Sequence, residues 1–354
     1  AWLLHENNSP VKAENTRVIV MNKSLAVYVS ATLPSMGIDN VQTTTFNSWA
    51  LSIIRKSMRT QPFFKFLNIP SFVEEIKFSE EILKAIDGLV EKQGQALDDE
   101  IKKQFSSRIA HLENWAKGKG KALLPRLRDF SHEVKNSKLP EAEKQQKLGF
   151  VKKQISNQED YLQDLYNLIS DGEHLKKYLK PDPKMKSNLE YLKRLTDKNR
   201  VKKNLDYFDM SLVLRLIQIK NGGLPDGDGG TISLDHIVID EAQDFGPVEF
   251  AIMMDAVTDK HQITIVGDVA QKILSARKFI GWNKVVDCLG LEEDSIIQLE
   301  VSFRCTVPIM TLAHKVAGDP KKVEGRAGSV PEWKKVDNFV DLVEVLADWS
   351  RGLL

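Results

Sequence analysis

The residues best suited to chemistry lie in one short run, His236-Ile-Val-Ile-Asp240-Glu241-Ala-Gln243-Asp244. A mostly apolar stretch leads straight into two adjacent carboxylates. At the end of a buried strand, one carboxylate can face a divalent cation and the next can face a water. Magnesium keeps several waters and takes only one or two carboxylates, so a single aspartate suffices. A neighbouring glutamate can accept the proton of an attacking water. The same pattern also suits a strand that ends in a solvated acidic turn. A second piece begins about one helix later, Ile263-Thr-Ile-Val-Gly267-Asp268-Val-Ala-Gln271-Lys-Ile273. A glutamine amide both donates and accepts, which suits sensing a terminal phosphate. Taken alone, Gly-Asp is a common turn. The third piece is Gln298-Leu-Glu-Val-Ser-Phe303-Arg304, a strand-like run that delivers an arginine. Its guanidinium can fork onto phosphate oxygens as charge builds on them. An isolated arginine in that setting equally makes a surface ion pair.

These pieces need elements to hold them. Arg17 to Met21 reads as a buried strand, and Leu25 to Leu33 has helical spacing that ends at Pro34. Val41 to Thr45 reads as a second strand, and Phe46 to Met58 as a helix capped by Asn47 or Ser48. From about Gln61 to Lys203 the chain is rich in Lys, Glu, Gln and Leu, which predicts a mainly helical insertion divided at Pro140, Pro181 and Pro183. Asp209 to Lys220 is a further helix, followed by the glycine-rich loop Asn221 to Gly230. Strand, helix and strand then alternate over His236 to Ile239, Val248 to Ala256 and Gln262 to Val266. Such alternation implies a parallel sheet with helices on both faces, and in such sheets function sits at the carboxyl ends of the strands.

Bulk properties narrow the class. The 354 residues are 42% hydrophobic and 28% charged, with a net charge of +1. That length accommodates two domains or one domain with a large insertion. Near-neutral charge argues against a wholly basic nucleic-acid module without excluding a local basic groove. The two cysteines, Cys288 and Cys305, make no disulfide framework, and a reducing cytoplasm is expected. No apolar run approaches the roughly 20 residues needed to span a membrane. The opening Ala1-Trp2-Leu3-Leu4-His5 reads as the end of a helix begun upstream, so a longer parent is expected.

In this order and at these separations, Asp-Glu-Ala-Gln-Asp, Gly-Asp-x-x-Gln-x-Ile and Gln-Leu-x-x-x-Phe-Arg resemble motifs II, III and IV of the UvrD/Rep superfamily 1 helicases. Val18 to Lys23 resembles motif Ia and Thr43 to Trp49 motif Ib. The phrase Asn-Lys-Ser-Leu-Ala with a following Leu-Pro-Ser is closest to the branch of helicase IV and the helicase-like proteins that remodel RNA polymerase. The resemblance covers about residues 1–60 and 205–354. It implies a RecA-like P-loop NTPase fold, an α/β parallel sheet interrupted by a mainly helical insertion. The expected layout is 1–60 as the first part of motor domain 1A, 61–204 as a 1B-like insertion, 205–305 as the rest of 1A, and 306–354 as the start of domain 2A. The implied reaction is ATP hydrolysis with Mg2+, driving movement on single-stranded DNA. The resemblance implies that Asp240 holds magnesium, Glu241 activates the water, Gln271 senses the γ-phosphate and Arg304 stabilises its charge. It further implies that Gln243 couples the site to the DNA surface and that Asp268 holds its motif in place. Asn22, Lys23, Thr45 and Phe46 would touch the strand.

The pattern also breaks. Nowhere does the sequence contain Gly-x-x-x-x-Gly-Lys-[Ser/Thr], the phosphate-binding loop called Walker A. Motifs V and VI are missing beyond Arg304, and Asn338 to Leu353 reads as the first helix of a second motor domain. The expectation is therefore an active parent and a listless ATPase in the chain itself. The usual stacking aromatic after motif III is replaced by Leu274-Ser-Ala-Arg277, with Phe279 and Trp282 as substitutes or as core residues, and Asn47 replaces a common histidine. These departures keep open a second reading, a nucleotide-dependent factor that remodels a protein partner such as RNA polymerase without unwinding. The lysines between Lys176 and Lys203 read as a solvated face, His236 has no visible metal partner, and the cysteines read as packing thiols.

Overall fold

The computed structural model describes residues 4, 11–58, 62–202, 204–259, 262–268, 281–289, 295–299, 301–302, 304–318 and 322–351. The chain divides into two compact units, Ala1–Leu289 and Gly290–Leu354.

The first unit is built on a parallel sheet. Its strands are β1 (Thr16–Val20), β2 (Gln42–Thr45), β5 (His236–Ile239) and β6 (Ile263–Ile265), in the order β2-β1-β5-β6. The central pair β1 and β5 carries the apolar runs expected of strands covered on both faces, with Ile19, Ile237 and Ile239 fully buried. β2, with the sequence Gln-Thr-Thr-Thr, lies at one edge, where polar β-branched residues are tolerated. Register aligns Ile19 with both Thr44 and Ile239, and Ile239 with Ile265. The carboxyl ends of all four strands therefore meet along one edge.

Helix α1 (Lys23–Thr32) follows β1 and runs into a 3-10 turn at Leu33–Met36 that contains Pro34. Helix α2 (Phe46–Ser57) buries Phe46, Trp49, Ala50, Ile53 and Ile54, a helical stripe. Its cap is Thr45, whose hydroxyl accepts from Ser48 N at 3.2 Å, not Asn47 or Ser48 as the sequence suggests. The hydroxyl at the last strand residue already reaches the helix, so the cap falls two to three residues earlier.

The middle of the chain is helical, as expected: α3 (Ser71–Lys77), α4 (Glu80–Gln104), α5 (Ile109–Lys117), α6 (Leu123–Asn136), α7 (Glu141–Gln158), α8 (Tyr161–Ser170), α9 (Gly172–Leu175) and α10 (Met185–Lys202). Pro140 caps α7, and Pro181 and Pro183 precede α10. The sequence reading missed a small parallel pair at the base of this segment. There β3 (Phe63–Lys65) pairs with β4 (Asn204–Asp206). Three-residue strands are too short for period-two patterning to show.

α11 (Tyr207–Asn221) then passes through the core, buried from Met210 to Leu214. Its Lys220 is fully buried and bridges Asp164 of α8 at 2.5 Å. α12 (Pro247–Met254) links β5 to β6, and α13 (Trp282–Leu289) closes the unit. The second unit contains α14 (Val307–Val316) and α15 (Phe339–Arg351), and neither helix has a buried residue. The strand-like reading of Gln298 to Arg304 is corrected here. Residues 296–299 have no regular structure, and Ser302 makes only an isolated parallel bridge to Gly325. Among the described residues, no helix is long and apolar enough to cross a membrane.

Candidate active site at the carboxyl edge of the sheet

Asp240 is the first residue past β5, and its backbone N donates to Ile19 O of the neighbouring strand at 2.9 Å. The carboxylate is fixed in turn, since Oδ1 accepts from Glu241 N at 2.9 Å. Among the described residues, the second oxygen makes no protein hydrogen bond. A half-exposed carboxylate with one oxygen to spare fits a magnesium ion that keeps most of its water shell.

Glu241 has φ 54° and ψ 44°, the left-handed region that a side chain with a Cβ rarely enters. The surrounding bonds hold it there. Ala242 N donates to Val266 O at 2.9 Å, so the β5–β6 ladder continues past the turn, and Asp244 N donates to Glu241 O at 3.0 Å. Such strain persists where the surroundings over-determine it, commonly at functional sites. The result is an abrupt turn that leaves the Glu241 side chain half-exposed beside Asp240.

Gln243 connects this turn to the end of β6. It is 1% exposed. Its Nε2 donates to Glu241 Oε2 at 2.6 Å, and its Oε1 accepts from Asp268 N at 2.9 Å. Gly267 makes room for this bridge. A Cβ there would sit 2.6 Å from Gln243 Oε1 and 3.0 Å from Ala242 N. Sequence reasoning gave Gln243 and Asp268 their neighbourhood but missed why the residue between Val266 and Asp268 is glycine. Past the acidic run, Gly246 N donates to Glu249 Oε2 at 2.8 Å and starts α12.

The other expected residues distribute as follows. Asn22 and Lys23 follow β1 on the same edge and are exposed; Asn22 Oδ1 caps α1 by accepting from Leu25 N at 2.8 Å. Thr45 ends β2 on that edge, its hydroxyl occupied by Ser48. Phe46 is corrected. It is 3% exposed and packs its ring on Trp49 and Phe245 at 6.4 and 6.2 Å, so its side chain is core and presents no face to a base. Gln271 and Phe279 lie outside the described residues. Trp282 is half-buried at the start of α13. Arg304 is exposed in the second unit, where its carbonyl accepts from Arg326 Nη2 at 3.3 Å. His236 Nε2 pairs with Thr264 Oγ1 at 2.9 Å, and burial holds its imidazole below the usual histidine range. This tie between β5 and β6 accounts for the histidine without a metal. The lysines between Lys176 and Lys202 are exposed, in keeping with a solvated face.

One surface feature was not anticipated. Phe66, 86% exposed, stacks on Tyr207 with ring centroids 4.2 Å apart, and Lys65 lies over Phe63. Aromatic and basic residues interleave in Phe63-Phe-Lys-Phe66, a signal legible in the sequence.

A search of curated proteins finds no match for this chain. The family model described as UvrD/REP helicase N-terminal domain matches residues 12–278. That span takes in the whole parallel sheet, the helical middle and the Asp240–Asp268 site, and it ends before Arg304. On a match over well more than half its length, reached through the same edge of the sheet, the chain belongs to the UvrD/REP helicase family.

Proposed function

We propose that the carboxyl edge of this sheet is the magnesium-holding and water-activating half of an ATPase site in a RecA-like motor that moves on single-stranded DNA. The observation that carries the reading is the Asp240–Glu241 pair at the end of a central strand, with Glu241 bridged through Gln243 to Asp268 N. Asp240 would hold magnesium through its second oxygen and intervening waters. Magnesium, when bound, supplies positive charge beside the phosphates and offsets the charge that develops in phosphoryl transfer. Glu241 accepts the proton of the attacking water at its carboxylate. Gln243 orients that carboxylate by donating to Oε2, and the left-handed backbone aims it across the turn from Asp240. Because Gln243 also holds Asp268 N, a shift in the segment after β6 reaches the base through one side chain. Gln271 and Arg304 are proposed as the phosphate sensor and the charge-stabilising arginine.

Strand contact is proposed at exposed Asn22 and Lys23 and at the Phe66–Tyr207 stack. Base stacking on such rings is worth about 1–3 kcal/mol each. Residues 61–204 serve as the 1B-like insertion between the two parts of domain 1A, and residues 306–354 open domain 2A.

The test is ATP turnover of the protein, with and without single-stranded DNA, beside the Glu241→Gln variant. DNA-stimulated turnover that falls at least about 100-fold in the variant while nucleotide binding persists supports the assignment. Normal turnover in Glu241→Gln removes Glu241 as the base. Turnover indifferent to DNA shifts the reading to a remodelling factor that acts on a protein partner.

A further inference from the structure

Phe66 is an apolar ring held out in water. Phe64, two residues earlier, is 8% exposed, whereas Phe66 is 86% exposed. Burying such a ring is a main source of folding free energy, and the chain forgoes it here. The ring is not left loose. One face rests on Tyr207, with the two planes 24° from parallel. Tyr207 is the first residue of α11, and its neighbour Phe208 sits edge-on to buried Phe78 with centroids 5.1 Å apart. The inner ring of this two-ring tier therefore stands on an element fixed to the core. The outer ring has one face on Tyr207 and the other toward solvent.

Charge around the tier suits a polyanion. β3 and β4 pair so that Lys65 lies beside Asp206. Lys65 is exposed, its ammonium 5.4 Å from the Phe63 ring centroid, and exposed Lys202 ends α10 just before β4. Asp206 and Asp209 are turned inward onto Lys77, so these neighbouring carboxylates do not oppose a phosphate chain.

Resting on the reading that this chain contacts a nucleic-acid strand, we propose that the two rings have separate roles. The outer face of Phe66 carries one unpaired base, Tyr207 backs that ring as a positioning residue, and Lys65 meets the adjoining phosphate. At 4.2 Å the rings are already in contact, so a base stacks outside them and not between them. Ring faces supply no hydrogen bonds to base edges or to a 2′-hydroxyl. The tier thus takes DNA and RNA alike, and it holds a purine more tightly than a pyrimidine because the purine offers the larger stacking surface. A duplex, whose bases are stacked on one another, does not fit.

The experiment is fluorescence anisotropy of the 354-residue chain with short labelled oligomers, without ATP or magnesium. The probes are oligo(dA), oligo(dT), oligo(A) and an abasic deoxyribose-phosphate oligomer of equal length. Oligo(dA) and oligo(A) should bind within about twofold of each other, and both more tightly than oligo(dT). Loss of the bases, or Phe66→Ala, should weaken binding about 5- to 150-fold, the range to which base–aromatic stacking free energies convert. Phe66→Trp should keep it. Tyr207→Leu should weaken it about two- to fivefold, and Tyr207→Phe should not, which separates a backing ring from a hydroxyl contact. Lys65→Gln should weaken all four oligomers alike and make the salt dependence shallower. Circular dichroism checks that each variant is folded. Equal binding of oligo(dA) and the abasic oligomer, or parent affinity in Phe66→Ala, overturns the tier and leaves strand contact at Asn22 and Lys23 standing; an exposed ring that serves a protein partner gives this result. Binding of no oligomer overturns the tier and the strand reading together. Because ATP is absent, failure of Glu241 as the base leaves every one of these outcomes unchanged.

Discussion

Gly267 makes the clearest demand of any single residue. Its missing Cβ leaves the space in which Gln243 reaches from Glu241 to Asp268 N. An alanine there meets a side-chain oxygen at 2.6 Å and a backbone nitrogen at 3.0 Å. The oxygen can give way only by breaking the bridge, and the nitrogen is held by Val266 O. Gly267→Ala should therefore cost about 1–3 kcal/mol of stability, as small-to-large changes in packed sites do. It should lower turnover of the protein as much as Gln243→Ala does, with circular dichroism unchanged. Turnover at the parent level in Gly267→Ala would detach the bridge from the chemistry. The place of the acidic pair at a strand end was legible from residue types alone, because an apolar run leads straight into Asp240-Glu241. The bridge was not, since it joins residues from the ends of two strands and depends on the absence of an atom.

At the scale of elements, the base of the helical segment is fastened by a buried charge cluster. Lys77 at the end of α3 is 4% exposed and lies 2.5 Å from Asp206 of β4 and 2.6 Å from Asp209 of α11. Asp206 and Asp209 also cap α11 reciprocally, each accepting the other's backbone N–H. Burial pushes the Asp209 carboxyl up to about 6, against the pull of Lys77, with Asp206 adding to the rise. Lys77 itself is held above its ordinary range by the two aspartates, despite its burial. Removing the cation strands two buried carboxylates, so Lys77→Met should cost about 3–5 kcal/mol in a urea unfolding experiment.

The pH dependence has a definite sign. With its folded pKa raised, Asp209 takes up a proton in the folded form before the unfolded form does. Its contribution to stability is absent above about pH 6, grows as pH falls and is complete below its ordinary 3.8. The stability of the parent relative to Asp209→Asn should thus rise between pH 7 and pH 5, and a fall would refute the assignment. None of this cluster was visible in the sequence. Lys77 and Asp206 are 129 residues apart, and β3 and β4, which bring their elements together, are too short to read. By contrast, α2 and α11 were legible because apolar residues recurring at helical spacing over three or more turns leave little choice. The cap of α2 fell two to three residues before its expected place, where helix ends are set by local hydroxyl geometry.

At the scale of the whole molecule, burial is uneven. Among the described residues, every buried hydrophobic side chain lies at or before Val286. Beyond it, α15 exposes Phe339, Val343, Leu346 and Trp349, and α14 exposes Ile309 and Val316. Helices that bury no side chain contribute little to folding free energy, since that energy comes chiefly from apolar surface removed from water. A chain ending at Leu289 should therefore unfold cooperatively at the same midpoint as the 354-residue chain. In a domain of this size a loss of 1 kcal/mol moves the midpoint by about 2–4 °C. A drop of more than about 3 °C on removing residues 290–354 would show that they share the fold's stability. An unchanged midpoint would place the folding unit within residues 1–289, the part that carries the sheet, the helical middle and the Asp240–Glu241 pair. Arg304 could then be deleted or restored without disturbing that pair, which would make its proposed role at the phosphates measurable separately from folding.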